Sequence, residues 1–221
     1  VLLFVIILIS LSVGSANIEV KTGFLILRSK IPFFVDGIIQ TWKDSTETIV
    51  WDIRMPRILL GMLVGAALAL AGAIYQGVLR NPLADPFILG VSSGSALGAS
   101  LILLFGFEIV VLGHWTLPIV AFISGLITLL IVYLLAKVNN RMQMETLILA
   151  GVVVQAFISS MLSLVMALAD EKMQTILFWM MGSLALTDWS YNGIILPIVV
   201  IGVLISFFMA RILNILGLGE E

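Results

Sequence analysis

Cysteine is absent from the 221 residues, and histidine occurs once, at His114. The first absence excludes disulfides, thiolate metal sites and iron–sulfur clusters, and the second excludes a metal centre built on several histidines. Charge is also scarce. Eleven Lys/Arg and thirteen Asp/Glu make up 11% of the chain, against 61% hydrophobic residues and a mean hydropathy of +1.21. A soluble domain carries about 25% charged residues, so this chain has too little polar surface to face water on all sides. Its formal net charge of −2 lacks the basic surplus of a nucleic-acid binder, and no nucleic acid is expected as partner. No G-x-x-x-x-G-K-[ST] run is present, so the chain does not itself cradle ATP. What is left is an all-α integral membrane protein.

The uncharged intervals are Val1–Ile18, Ile58–Leu79, Pro86–Phe107, Ile109–Ala136, Thr146–Ala169 and Trp189–Ala210. Each is close to, or above, the roughly 20 apolar residues that cross a hydrocarbon core. Met173–Thr187 is shorter, bounded by Asp170-Glu171-Lys172 and Asp188, and reads as a surface or re-entrant helix. The expectation is a polytopic bundle of about six transmembrane helices plus one short helix. The first run has no initiator Met and no charged lead-in of the kind a signal peptide carries, so it reads as a transmembrane helix. Residues 1–221 are expected to be one transmembrane domain, cut at both ends.

Loops 80–85, 137–145 and 211–221 hold four Lys/Arg, whereas 108–114 and 170–188 hold only Lys172. The positive-inside rule places the first set in the cytoplasm. Residues 19–57, with six Lys/Arg and five acids, then form an extracytoplasmic segment of mixed charge.

Within the spans, Gly90, Gly94 and Gly98 recur every four residues, and Gly61 and Gly65 do the same. Such spacing lets helix backbones approach closely in lipid. Gln76 and Gln155 are intramembrane polar residues, suited to interhelical hydrogen bonds or to lining a pathway. Met161, Met166, Met180 and Met181 read as packing, and no metal ligands are expected. Gly90-Val91-Ser92-Ser93 superficially resembles the serine turn of a rhomboid-type intramembrane protease. His114, however, lies 22 residues beyond Ser92, about 33 Å along a helix. It cannot serve as the base, and no catalytic residue is assigned.

The turn Arg80-Asn81-Pro82-Leu83-Ala84-Asp85-Pro86 is the most specific local signal. Pro82 and Pro86 break the helix and restrict the residue before each, while Asn81 and Asp85 can bond the freed backbone. A tight reversal between antiparallel spans is expected.

Taken in order, several stretches resemble one family. They are Arg54-Met55-Pro56-Arg57-Ile58-Leu59, the run Gly65–Gly72, Gln76-Gly77, the Asn-Pro-Leu-Ala-Asp-Pro turn, Leu149-Ala150-Gly151, Trp179-Met180-Met181-Gly182-Ser183 and Leu216-Gly217-Leu218-Gly219-Glu220-Glu221. They look like the FecCD-type permeases, transmembrane subunits of ABC importers for iron–siderophore complexes, haem and cobalamin. The resemblance covers residues 50–221, and 1–49 match only in hydropathy.

The resemblance implies a ten-helix subunit, of which this chain holds the first six, paired as a homo- or heterodimer in lipid. The membrane implied is the bacterial or archaeal plasma membrane. Gly217, Leu218, Gly219, Glu220 and Glu221 would open a coupling segment, 211–221, that docks on P-loop ATPase subunits carrying ATP and Mg. This chain itself would bind no cofactor. A periplasmic or lipid-anchored binding protein would dock through its acidic residues on Arg54 and Arg57. The implied cargo is an iron chelate, siderophore or haem, with cobalamin as the alternative, moved by alternating access. Where the family has its cytoplasmic gate, Met142-Gln143-Met144-Glu145-Thr146 lacks a small hydroxyl pair. The competing reading is a stand-alone secondary transporter or channel for a small solute, and the scarcity of intramembrane carboxylates counts against a proton-coupled one.

Overall fold

Backbone that enters lipid must satisfy its own hydrogen bonds, which leaves long apolar runs little choice but helix. The computed structural model describes residues 2–31, 39–138, 141–185 and 187–218. The helices are α1 (Leu2–Ser12), α2 (Val20–Ser29), α3 (Asp44–Thr48), α4 (Met55–Leu79), α5 (Val91–Phe105), α6 (Thr116–Leu135), α7 (Met144–Leu168), α8 (Met173–Met181) and α9 (Trp189–Leu218). A π-helical turn, Ile49–Arg54, joins α3 to α4. Strands β1 (Lys137–Val138) and β2 (Arg141–Met142) pair antiparallel, Lys137 opposite Met142, between α6 and α7. The coupling residues Gly219, Glu220 and Glu221 lie outside the described residues, and Gly217 and Leu218 continue the backbone of α9.

Among the described residues, four helical stretches are long and apolar enough to cross a membrane: Asp44–Leu79, Gly113–Leu135, Met144–Leu168 and Trp189–Ile215. The chain is therefore a multi-pass membrane protein. Two of the six expected spans yield apolar helices shorter than those four. The interval from Pro86 to Phe107 yields only the 15-residue α5, about 22 Å long. Turns persist from Pro86 to Gly90, whose φ of +74° is left-handed, and Gly106 at φ +68° closes the helix. The first run gives an 11-residue helix, α1. The second span departs the other way: helix begins at Asp44 rather than Ile58, so Pro56 sits inside a continuous helical stretch.

The chain divides into two units. One comprises Val1–Leu70 and Leu184–Arg211. Here Leu11, Ile18, Ile26 and Val50 form a buried core between α1, α2 and the π-turn. The other comprises Ala71–Ser183 and Ile212–Glu221. In it α5, α6 and α7 pack around Leu89, Val132, Ala136, Ala150, Val154 and Ile158, and a smaller cluster of Val165, Ala169 and Ile176 lies under α8. Gly94 and Gly98 are buried where α5 meets α6: a methyl group at either would overlap the Thr128 or Ser124 hydroxyl. The four-residue glycine spacing does not act as one stripe, however. Gly90 stands before the helix as its left-handed cap. On α4, a Cβ at Gly61 would lie 3.4 Å from Leu184, whereas one at Gly65 would meet nothing within 4 Å.

Candidate functional site

The reversal between α4 and α5 is built from two successive turns with the same chemistry. Asn81 Oδ1 accepts the Leu83 N–H at 2.9 Å, and its carbonyl accepts the Ala84 N–H at 3.0 Å. Four residues on, Asp85 Oδ1 accepts the Phe87 N–H at 2.8 Å and its carbonyl the Ile88 N–H at 3.4 Å. Proline follows each as the second turn residue, where its fixed φ is pre-set. Gln76 folds back from the last turn of α4 and donates Nε2–H to the carbonyls of Pro82 at 3.1 Å and Ala84 at 3.5 Å. It clamps the reversal, with its amide engaged locally rather than on another helix.

The reversal is seated on α7. A Cβ at Gly151 would lie 2.5 Å from the Ile88 carbonyl oxygen, and one at Gly90 would lie 3.6 Å from Gln155 Cβ. Leu89 is buried beside Ala150 and Val154. Two separate sequence motifs, Asn-Pro-Leu-Ala-Asp-Pro and Leu-Ala-Gly, are thus the two sides of one contact. Gln155 is exposed on α7, and Leu83, at 86% exposure, projects from the tip of the reversal.

In the other unit, the two arginines occupy different surroundings. Arg54 is buried at 9% exposure, and its guanidinium donates to the carbonyls of Leu11, in the last turn of α1, and of Ala16, just beyond it. A Cβ on Gly14 would collide with it. Of the two arginines expected to dock a binding protein, Arg54 is thus turned inward, where carbonyls at and beyond the end of α1 draw a fixed cation. Arg57 is half-buried and donates from Nη2 to the Ala185 carbonyl.

Sequence reading did not single out the residues that complete this cluster. Trp189 donates its indole N–H to the Trp51 carbonyl at 3.2 Å, and the two rings lie 4.9 Å apart. Asn192, 3% exposed, donates Nδ2–H to the Pro56 carbonyl at 3.0 Å. Asp188 caps the start of α9 by accepting the Ser190 N–H at 2.9 Å. Pro56 was the available signal, since an in-helix proline frees a carbonyl one turn upstream that needs another donor.

The arrangement offers rigid reversals, tightly seated helix contacts and an arginine-bearing helix end. Comparison with known proteins finds a family match. The model of the FecCD transport family matches residues 2–221. The hemin transport system permease protein HmuU of Yersinia pestis is 35% identical over 98% of this chain and 62% of its own length. An uncharacterized ABC transporter permease protein of Bacillus subtilis, YvrB, is 36% identical over 97% of this chain and 60% of its own. The cobalamin import system permease protein BtuC of Halobacterium salinarum is 39% identical over 80% of this chain and 47% of its own. The chain therefore spans about half to three fifths of the relatives it matches. A solved structure, described as an inward-facing conformation of an ABC transporter of metal-chelate type, superposes with a TM-score of 0.74 at 32% identity. The match covers 99% of this chain and 63% of that one.

Proposed function

The chain belongs to the FecCD transport family, and from that premise we propose that it is part of a permease subunit of a binding-protein-dependent ABC importer. The observation that carries the reading is the family match over residues 2–221. Two permease subunits would enclose the pathway, and separate P-loop ATPase subunits would drive alternating access in a bacterial or archaeal plasma membrane. The chain from Gly217 to Glu221 would approach the ATPase. Arg57, at the start of α4, would take the acidic patch of a soluble binding protein, since an arginine fork suits carboxylates. Arg54 would support that surface from beneath by holding α1. Gln155, exposed on α7, is the candidate for the pathway wall.

The cargo proposed is an iron chelate, siderophore or haem, with cobalamin as the alternative. Relatives named for hemin and for cobalamin support this class. The test is reconstitution of the complete transporter in proteoliposomes, offered ferric siderophore, haem and cobalamin in turn. ATP-dependent and binding-protein-dependent uptake of an iron chelate is expected. Uptake by the permease alone, without ATPase, would overturn the importer reading in favour of a secondary transporter or channel.

A further inference from the structure

Helix α8 is short, and most of its apolar surface is bare. Its one buried residue is Ile176, at 0% exposure, set among Val165, Ala169, Leu103 and Leu104. Leu177, Phe178 and Met181 are exposed. The backbone breaks sharply on both sides of it. Asp170 precedes it at φ +42°, and Gly182 follows at φ +74°, ψ 150°, a conformation open in practice only to glycine. A nine-residue helix with one fully buried side chain between two such breaks is weakly held unless something else fastens it.

That second hold is Lys172. Its Nζ donates to the Leu104 carbonyl at 2.9 Å, a contact across 68 residues of chain. Leu104 lies in the last turn of α5, where carbonyls lack helical partners and the dipole is negative. Gly106 N–H takes the Ile102 carbonyl at 2.9 Å, and the ammonium takes the Leu104 carbonyl. Asp170 and Glu171 lie beside Lys172 in the chain, yet its ammonium donates to this uncharged carbonyl.

We propose that Lys172 is a positioning residue, a pin that holds α8 down on the α5–α7 bundle and sets how readily this helix lifts during transport. The role in transport rests on the permease reading above; the pin itself does not. Without the ammonium, α8 keeps its Ile176 seat and the half-buried Trp179, and swings more readily about Asp170 and Gly182.

The cysteine-free chain makes the test direct. Ile176→Cys is introduced as a single reporter in the full chain in lipid nanodiscs, and its reaction with a maleimide is timed. Adding Lys172→Met should accelerate labelling roughly tenfold, the scale of losing a charged hydrogen bond at a helix end. Lys172→Arg, which keeps charge and donors, should restore slow labelling. A control cysteine at buried Val132 of α6 should stay unreactive throughout. Because Ile176→Cys trims the seat itself, a nitroxide on exposed Phe178→Cys gives a second readout, expected to gain mobility with Lys172→Met and not with Lys172→Arg. Unchanged labelling and mobility in Lys172→Met would overturn the pin. So would equal acceleration at Val132→Cys, which means general loosening. Neither readout uses transport, so failure of the pin and failure of the importer reading are separable.

Discussion

Trp189 donates its indole N–H, at 3.2 Å, to the carbonyl of Trp51, one turn before Pro56. In the π-turn the Met55 N–H reaches back five residues to the Val50 carbonyl. The next bond of that register would run from residue 56 to Trp51, and proline has no N–H to make it. A side chain 138 residues away in sequence makes it instead. Asn192, from the same face of α9, takes the carbonyl of Pro56 itself. The start of α4 is thus fixed by the start of α9.

This relation predicts a non-additive pair. Trp189→Phe should lower stability by about 0.5–1.5 kcal/mol, the net value of one hydrogen bond. In a Pro56→Ala background the new N–H can serve the Trp51 carbonyl, and the same substitution should cost less. Thermal unfolding of the four variants in detergent gives the coupling. Strict additivity would show that the Trp51 carbonyl has another partner.

Two glycines of similar sequence setting should respond oppositely. Gly94→Ala drives a methyl into the Thr128 hydroxyl and should cost about 1–3 kcal/mol through overpacking. Gly65→Ala meets nothing within 4 Å and should be neutral, or stabilising by up to about 1 kcal/mol from helix propensity. Measured on the 221-residue chain, equal effects would refute the contact assignment.

The arginines should separate in the same way. Arg54→Gln leaves the Leu11 and Ala16 carbonyls short of a charged donor, and about 1.5–3 kcal/mol of stability should go with it. Arg57→Glu should leave folding nearly intact while weakening capture of the binding protein, more at low salt than at high salt. Pull-down of the assembled transporter at two salt concentrations checks this. Undiminished capture by Arg57→Glu would reduce that residue to a helix-end contact with Ala185.

Gln76→Ala removes the clamp on the reversal, and Gly151→Ala lifts the Ile88 backbone from its seat. Both should expose the turn at 81–86 to added protease, with Gly151→Ala the more severe because backbone, not a flexible side chain, must give way. Limited proteolysis read by mass spectrometry locates the cut. Protection equal to that of the unaltered chain would mean that neither residue holds the turn.

What the sequence disclosed was local. Asn-Pro and Asp-Pro carry their own turn chemistry within three residues, so the reversal could be read from the letters alone. The apolar runs announced a membrane bundle for the same reason. Span lengths were misjudged because an uncharged interval is not a helical one: Pro86–Gly90 is apolar yet turned, and Asp44–Arg54 is charged yet helical. The burial of Arg54 and the reach of Trp189 were hidden because their partners are backbone carbonyls, which no residue letter marks. Gly151 was visible only as a motif member, its partner being the backbone of Ile88.

The seating of the reversal on α7 has a consequence for biosynthesis. When α4 and α5 leave the ribosome, Gly151 has still to be synthesised, more than sixty residues behind Ile88. The nascent hairpin must therefore wait at the insertion machinery with Leu89 uncovered and its bend held only by local bonds, those of Asn81, Asp85 and Gln76. Anything that delays the arrival of α7 lengthens that exposed interval. A slow stretch of translation between residues 91 and 144 would accordingly raise the fraction of chains destroyed by membrane quality control, although the finished protein would be identical in every copy that survived.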